Sequence, residues 1–202
     1  MRRGVVRIFG VILAGGTGQR MGGADKALLM LAGRPLLAHV RDRFNPQVEA
    51  LALSANGNPA RFAEFGLPVL ADNQSKGPLS GVLAALQWAT PLGATAVVSV
   101  AVDTPFFPGD LVPQLCLAAQ STVSGVAIAD SAGRAHPTFA HWPVALAPVL
   151  AAFLASDALP RLMGFAAANG ATRAHFPDDG GFANLNTPQD LANAEARLRG
   201  LP

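Results

Sequence analysis

The sequence predicts an α/β fold built on a mostly parallel sheet covered by helices on both faces. Three observations predict it. Short apolar runs alternate with stretches of helical periodicity, the runs are apolar almost throughout, and a glycine-rich loop follows the first of them directly. Strands buried on both faces read this way, and such a loop is where open α/β sheets take ligands. The chain has 202 residues, 50% hydrophobic and 14% charged, enough for a well-buried core. No internal repeat or linker divides residues 1–202, so a single domain is expected.

Val11-Ile12-Leu13-Ala14 is the first strand, running into Gly15-Gly16. Pro35 to Phe44 reads as a helix, with proline in its first turn and Leu36, Leu37, Val40 and Phe44 along one side. Leu51-Ala52-Leu53 is a second strand, Pro59 to Phe65 a helix, and Pro68-Val69-Leu70 a third strand. Pro78 to Ala89 is helical, with Leu79, Val82, Leu83 and Leu86 at core spacing. Ala96 to Val102, apolar except for Ser99, is the most strand-like stretch and stops at Asp103-Thr104-Pro105. After Pro108 a helix reaches Ala119. Gly125 to Ala129 and Ala135 to Ala140 flank the polar turn Asp130-Ser131-Ala132-Gly133, which predicts a late antiparallel hairpin. Helices follow over Val144 to Leu154 and Leu159 to Ala168. The last helix has Thr187 as N-cap, Pro188 at its first position and Asp190 in its first turn.

Composition excludes several function classes. The single cysteine, Cys116, rules out a disulfide framework or a Cys-rich zinc module, reads as a packing residue and fits a reducing cytoplasm. No apolar run reaches the roughly 18 residues a spanning helix needs, and Met1-Arg2-Arg3-Gly4 opens no signal-peptide pattern. A cytoplasmic protein without a membrane partner is expected. A formal net charge of +2 gives no nucleic-acid footprint.

The loop Gly15-Gly16-Thr17-Gly18-Gln19-Arg20-Met21-Gly22-Gly23-Ala24-Asp25-Lys26 carries the most information. Glycines let backbone N–H groups approach an anion closely. Gly18 and Gly23 have the spacing of a Walker A loop, but Ala24-Asp25 follows instead of Lys-Ser/Thr. The dinucleotide fingerprint fails as well, because Met21 stands where its third glycine belongs. What remains is a glycine loop with Arg20 and Lys26 six residues apart, able to wrap a triphosphate, or alternatively a solvated surface turn. Asp103 leaves a buried strand at the ligand edge, where a carboxylate can hold Mg²⁺; a helix-capping role is the plainer alternative.

Leu13-Ala14-Gly15-Gly16, Arg20-Met21-Gly22 and Asp25-Lys26 together resemble the signature loop of nucleotidyltransferases that activate sugar phosphates or cofactors. Within these the chain most resembles the molybdenum cofactor guanylyltransferases, the MobA family. The similarity extends in family order through Asp72, Gly77-Pro78-Leu79-Ser80-Gly81, Asp103-Thr104-Pro105, His136-Pro137 and Asn184-Leu185-Asn186-Thr187-Pro188. It reaches nearly the whole chain.

The resemblance implies a three-layer, Rossmann-like nucleotidyltransferase fold, with a nucleotide-binding N-terminal half and an acceptor-binding C-terminal half. It implies transfer of GMP from GTP to the terminal phosphate of molybdopterin carrying molybdenum, with Mg²⁺ as cofactor. Transient contact with cofactor-biosynthesis proteins or recipient molybdoenzymes goes with that activity.

Carried over by position, Leu13, Ala14, Gly15, Gly16 and Gly18 cradle the nucleotide, and Arg20 and Lys26 neutralise its phosphates. Asp103 binds magnesium and nucleotide, although Val100-Ala101-Val102 precede it where relatives often carry proline or cysteine. Asp72 contacts guanine, whose N1–H and exocyclic amine form a donor pair that no pyrimidine offers, and the backbone near Gly77 contributes as well. Ser54 stands where relatives place an asparagine, with Asn56 two residues on as a substitute. Asn184 and Asn186, at period two, hold the pterin or complete the metal's surroundings, or else pre-form the turn before Thr187.

His136 is assigned no acid–base work, and His39, His141 and His175 share no metal-ligand spacing with it. Arg161 and Arg173 read as solvated surface, with phosphate or pterin contact the alternative, and Met21 as a packing residue. The rivals are a cytidylyltransferase acting on the same cofactor, a sugar-phosphate nucleotidyltransferase, and a module that binds nucleotide or pterin without chemistry. Cytidylyl relatives typically read Leu-Ala-Ala-Gly where this chain has Leu13-Ala14-Gly15-Gly16, which with Asp72 favours GTP. A GTP-hydrolysing switch is disfavoured by the failed Walker A match.

Overall fold

The computed structural model describes residues 6–15, 25–71, 76–156 and 159–200. In chain order the elements begin with β1 (Ile8–Leu13), β2 (Met30–Leu31), β3 (Arg34–Pro35), α1 (Leu36–Phe44), β4 (Ala50–Ser54) and β5 (Val69–Leu70). There follow α2 (Pro78–Ala89), β6 (Ala96–Ala101), α3 (Leu111–Ala119), β7 (Ala127–Ser131) and β8 (Arg134–Pro143). The chain ends with α4 (Ala147–Ala155), α5 (Leu162–Ala168), β9 (Thr172–Phe176) and α6 (Pro188–Leu198). Among the described residues, seven strands form one sheet in the order β5-β4-β1-β6-β8-β7-β9. Only β8 runs against its neighbours, so the sheet is mostly parallel with a late antiparallel hairpin.

Central β1 alternates its side chains between two cores. Phe9, Val11 and Leu13 face α2, α4 and α5 together with Leu79, Val82, Leu86, Trp142 and Phe165. Ile12 faces the opposite layer with Leu37, Val40 and Phe44 of α1 and Leu111 and Leu115 of α3. Each such side chain, removed from water, contributes about 1.5–3 kcal/mol. Gly10 lets α1 close on the sheet: a Cβ there would stand 2.8 Å from the Phe44 ring.

The runs expected for β1, β4, β5 and β6 end within one residue of the strands, and α2 spans Pro78 to Ala89 as expected. The capping signals of α6 form a full box. Asp190 N–H donates to Thr187 Oγ1 at 3.1 Å, and Thr187 N–H returns a bond to Asp190 Oδ2 at 2.8 Å.

Several expectations are corrected. Pro59–Phe65 keeps its expected bounds but winds as a 3-10 helix, closed by Gly66 at φ +64°. A 3-10 turn over Val144–Leu146 precedes α4, and α5 starts only at Leu162. The late hairpin turns on Ala132 and Gly133 (φ +51° and +76°), leaving Asp130 and Ser131 buried inside β7. Strand β9 and the small β2–β3 ladder were not expected. Among the described residues no helix is long and apolar enough to cross a membrane.

Candidate active site

The carboxyl ends of β1 and β6 form the floor of the site. Parallel pairing continues past the strands: Ala14 N–H donates to Ser54 O at 2.9 Å and Val102 N–H to Leu13 O at 3.2 Å. The backbone leaving β1 is therefore held between its two neighbours. Above it lies a cavity of about 160 Å³ whose walls include Leu13, Ala14 and Gly15 on one side and Ala101, Val102 and Asp103 on the other. Lys26, Asn184, Thr138 and Pro78 complete the lining.

Lys26 begins a short 3-10 helix, Lys26–Leu28, whose N-cap is Asp25. Asp25 accepts from Ala27 N–H at 3.1 Å and from Arg61 Nε at 2.8 Å, so the base of the lysine is fixed by two bonds to its neighbour. Lys26 Nζ donates to Asp103 Oδ2 at 3.0 Å and to Asn186 Oδ1 at 2.5 Å. The two charged side chains are only 19% and 17% exposed. Leu185 N–H donates to Asp103 O at 2.7 Å, strapping the extended 184–186 stretch against the end of β6. The wholly buried Thr104 hydroxyl lies 2.8 Å from Asn184 Oδ1 and 3.3 Å from Asp103 Oδ1, donating to one at a time. Lys26, Asp103, Asn184 and Asn186 thus converge beside Leu13, Ala14 and Gly15.

Other positions fall elsewhere. Gly16, Gly18, Arg20 and Asp72 lie outside the described residues, as does Met21. Ser54 is 3% exposed and packs beneath α2, where a Cβ on Gly81 would come within 2.4 Å of its Oγ. It does not line the cavity. Asn56 is exposed on the following loop, its carbonyl accepting from Arg61 Nη2 at 2.5 Å. Gly77 is the N-cap of α2 at φ +75°, a conformation that suits glycine. Arg161 stands at the N-cap position of α5 without a side-chain capping bond, and Arg173 pairs with buried Asp130 at 2.9 Å.

The His136 ring stacks on Phe182 with centroids 4.5 Å apart, and its Nε2 is buried with no hydrogen-bond partner among the described residues. Burial, helped by the Arg134 charge, holds its pKa below the ordinary histidine value. The sequence does not single out Thr138, which lines the cavity, or Thr104, whose buried hydroxyl reaches Asn184 and Asp103. Thr104 sits inside the Asp103-Thr104-Pro105 block, and Thr138 directly follows His136-Pro137.

The donor set suits a hard divalent cation shared with a ligand. Among the described residues no group of three or more His, Cys, Asp or Glu side chains gathers as a protein-only metal cage. Magnesium does not need one: it keeps several waters and takes one or two carboxylates plus substrate phosphate oxygens. Asp103, at the cavity wall, fits that role.

A sequence profile of the MobA-like NTP transferase domain matches residues 10–172. A molybdenum cofactor guanylyltransferase of Cereibacter sphaeroides is 59% identical over 194 residues, covering 96% of this chain and 98% of its own. The solved structure of molybdopterin-guanine dinucleotide biosynthesis protein A from Archaeoglobus fulgidus superposes with a TM-score of 0.73 at 20% identity, covering 96% of this chain and 100% of that one. A 4-diphosphocytidyl-2C-methyl-D-erythritol synthase from Anaerococcus prevotii superposes with a TM-score of 0.76 at 13% identity, covering 96% of both chains. The fold is therefore shared by enzymes named for guanine and for cytosine nucleotides, and high sequence identity, not fold, separates them. This chain belongs to the molybdenum cofactor guanylyltransferases, the MobA family of nucleotidyltransferases.

Proposed function

We propose that this chain transfers GMP from GTP to the terminal phosphate of molybdopterin carrying molybdenum, forming the guanine dinucleotide cofactor and pyrophosphate. The observation that carries the reading is the convergence of Lys26, Asp103 and Asn186 above the backbone of Leu13, Ala14 and Gly15. The acceptor's phosphate monoester is anionic near neutrality, so its oxygen attacks the α-phosphorus in line without a general base. The α–β bridging oxygen leaves with the bond electrons as pyrophosphate. Catalysis then rests on positioning and charge neutralisation.

The loop backbone at Gly15, Gly16 and Gly18 cradles the phosphates. Arg20 and Lys26 offset their charge, Asp72 reads the guanine edge, and the backbone at Gly77 lies alongside. Asp103 would hold Mg²⁺, which when bound withdraws charge from the phosphate oxygens. Lys26 pairs with Asp103; an arriving triphosphate would draw the ammonium onto its oxygens and free the carboxylate for the cation. Asn186 keeps Lys26 aimed at this exchange, and Asn184 faces the acceptor side. Ser54 serves through its backbone carbonyl, which holds Ala14 in place, rather than through its buried hydroxyl. We place the activity in the cytoplasm, in passing contact with cofactor-biosynthesis proteins and recipient molybdoenzymes.

The test is product analysis with GTP, Mg²⁺ and molybdenum-loaded molybdopterin. Stoichiometric pyrophosphate and guanine dinucleotide support the reading. Orthophosphate release would indicate a hydrolytic switch, and binding without either product a carrier.

A further inference from the structure

Strand β8 breaks step with both neighbours at one point. Ile128 pairs with Ala140, yet Ala129 pairs with His136, so Pro137, Thr138 and Phe139 have no partner on β7. The ladder to β6 ends at the Ser99–Ala140 pair. Pro137 supplies a reason, since it has no N–H for a ladder, and bulges of this kind re-aim a side chain. The bulge is held by buried groups. Ser99 Oγ donates to Thr138 O at 2.9 Å and in turn accepts from Trp142 Nε1 at 3.0 Å, with Ser99 and Trp142 fully buried. Phe139 wedges between Phe107 and Phe182, and His136 stacks on the same Phe182 ring.

The result is that Thr138 lines the cavity of Lys26, Asp103 and Asn184, and among the described residues no hydrogen bond engages its hydroxyl. Its strand lies on the far side of β6 from β1, the strand that leads into Gly15. On the guanylyl-transfer reading the nucleotide takes the β1 side, which leaves the β8 side for the acceptor.

We propose that the Thr138 hydroxyl donates a hydrogen bond to the attacking phosphate of the acceptor and so fixes its line of approach. This rests on the guanylyl-transfer reading above. A neutral donor suits the place: it orients the phosphate while leaving the charge that makes the oxygen nucleophilic, which a lysine or arginine would offset.

The test compares Thr138→Val, which keeps the shape and removes the hydroxyl, with Thr138→Ser, which keeps the hydroxyl. Steady-state transfer and calorimetric GTP binding are measured on the same preparations. Thr138→Val is expected to lose about 10- to 100-fold in kcat/KM for the acceptor, the effect of a hydrogen bond to a charged group, with GTP affinity within about twofold. Thr138→Ser is expected within about threefold of the parent chain. An unimpaired Val variant, a Ser variant as poor as Val, or a loss falling on GTP affinity overturns the role of Thr138 alone. A parent chain that transfers no GMP overturns both this role and the reading it rests on.

Discussion

Replacing Lys26 by methionine should separate the two tasks assigned to its ammonium. Nζ stands 3.0 Å from Asp103 Oδ2, with the two side chains 19% and 17% exposed. At an effective dielectric near 20 that attraction is about 5–6 kcal/mol. Lost hydration of both groups and residual solvent screening reduce the net value to on the order of 1–2 kcal/mol. A divalent cation reaching Asp103 without nucleotide must displace this ammonium and forfeit that amount. Lys26→Met should therefore bind Mn²⁺ about 5- to 30-fold more tightly than the parent chain when no nucleotide is present, read by electron paramagnetic resonance of the free ion. Turnover should move the opposite way. Removing a positioned donor from a phosphoryl group typically costs about 10²–10³ in rate, read as pyrophosphate release. Equal Mn²⁺ affinities, or a variant that turns over within threefold of the parent, would refute the exchange.

Gly81→Ala should destabilise the protein at the junction of α2 with the site floor. The new Cβ would meet Ser54 Oγ at 2.4 Å and Leu13 Cδ2 at 3.0 Å. Overpacking of this kind costs about 1–3 kcal/mol, against a helix-propensity gain of up to about 1 kcal/mol. Adding Ser54→Ala should restore at least half of the loss in urea unfolding, and a strictly additive pair would contradict the packing account. Burial also holds the imidazoles of His136 and His141 below the ordinary histidine range. Their unfolded state binds more protons, so stability should be lost as pH falls below about 6.5 and be fully present above it. Melting temperatures from pH 5.5 to 7.5 should rise, and a double His→Gln variant should flatten the rise; an unchanged slope would assign it to other groups.

Much of the fold was legible because its strands are buried on both faces. β1 and β6 read as apolar runs, interrupted in β6 only by Ser99, and Thr187, Pro188 and Asp190 mark the start of α6 by local chemistry alone. β9 was not legible. Its exposed positions carry Arg173 and His175, and only Ala174 and Phe176 face inward, too short an alternation to separate from a loop. The site was legible residue by residue but not as an arrangement. Lys26, Asp103 and Asn186 could each be singled out, yet their contacts bridge 77 and 160 residues of chain, which no spacing rule reaches. The asparagine that relatives carry at Ser54 suggests a side-chain contact there, whereas the close approach of Gly81 covers the serine hydroxyl. Thr138 was hidden because a bulge looks locally like continued strand: only the pairing of Ala129 with His136 reveals three residues stepped out of the sheet.

The central claim concerns which nucleotide is transferred, because the fold alone is shared with cytidylyl enzymes. Supplying GTP, CTP, ATP and UTP separately, each labelled at the α-phosphate, with Mg²⁺ and molybdenum-loaded molybdopterin tests it directly. Incorporation of label into the cofactor with GTP, and at most trace incorporation with the other three, is the expected result. Preferential incorporation from CTP would contradict it.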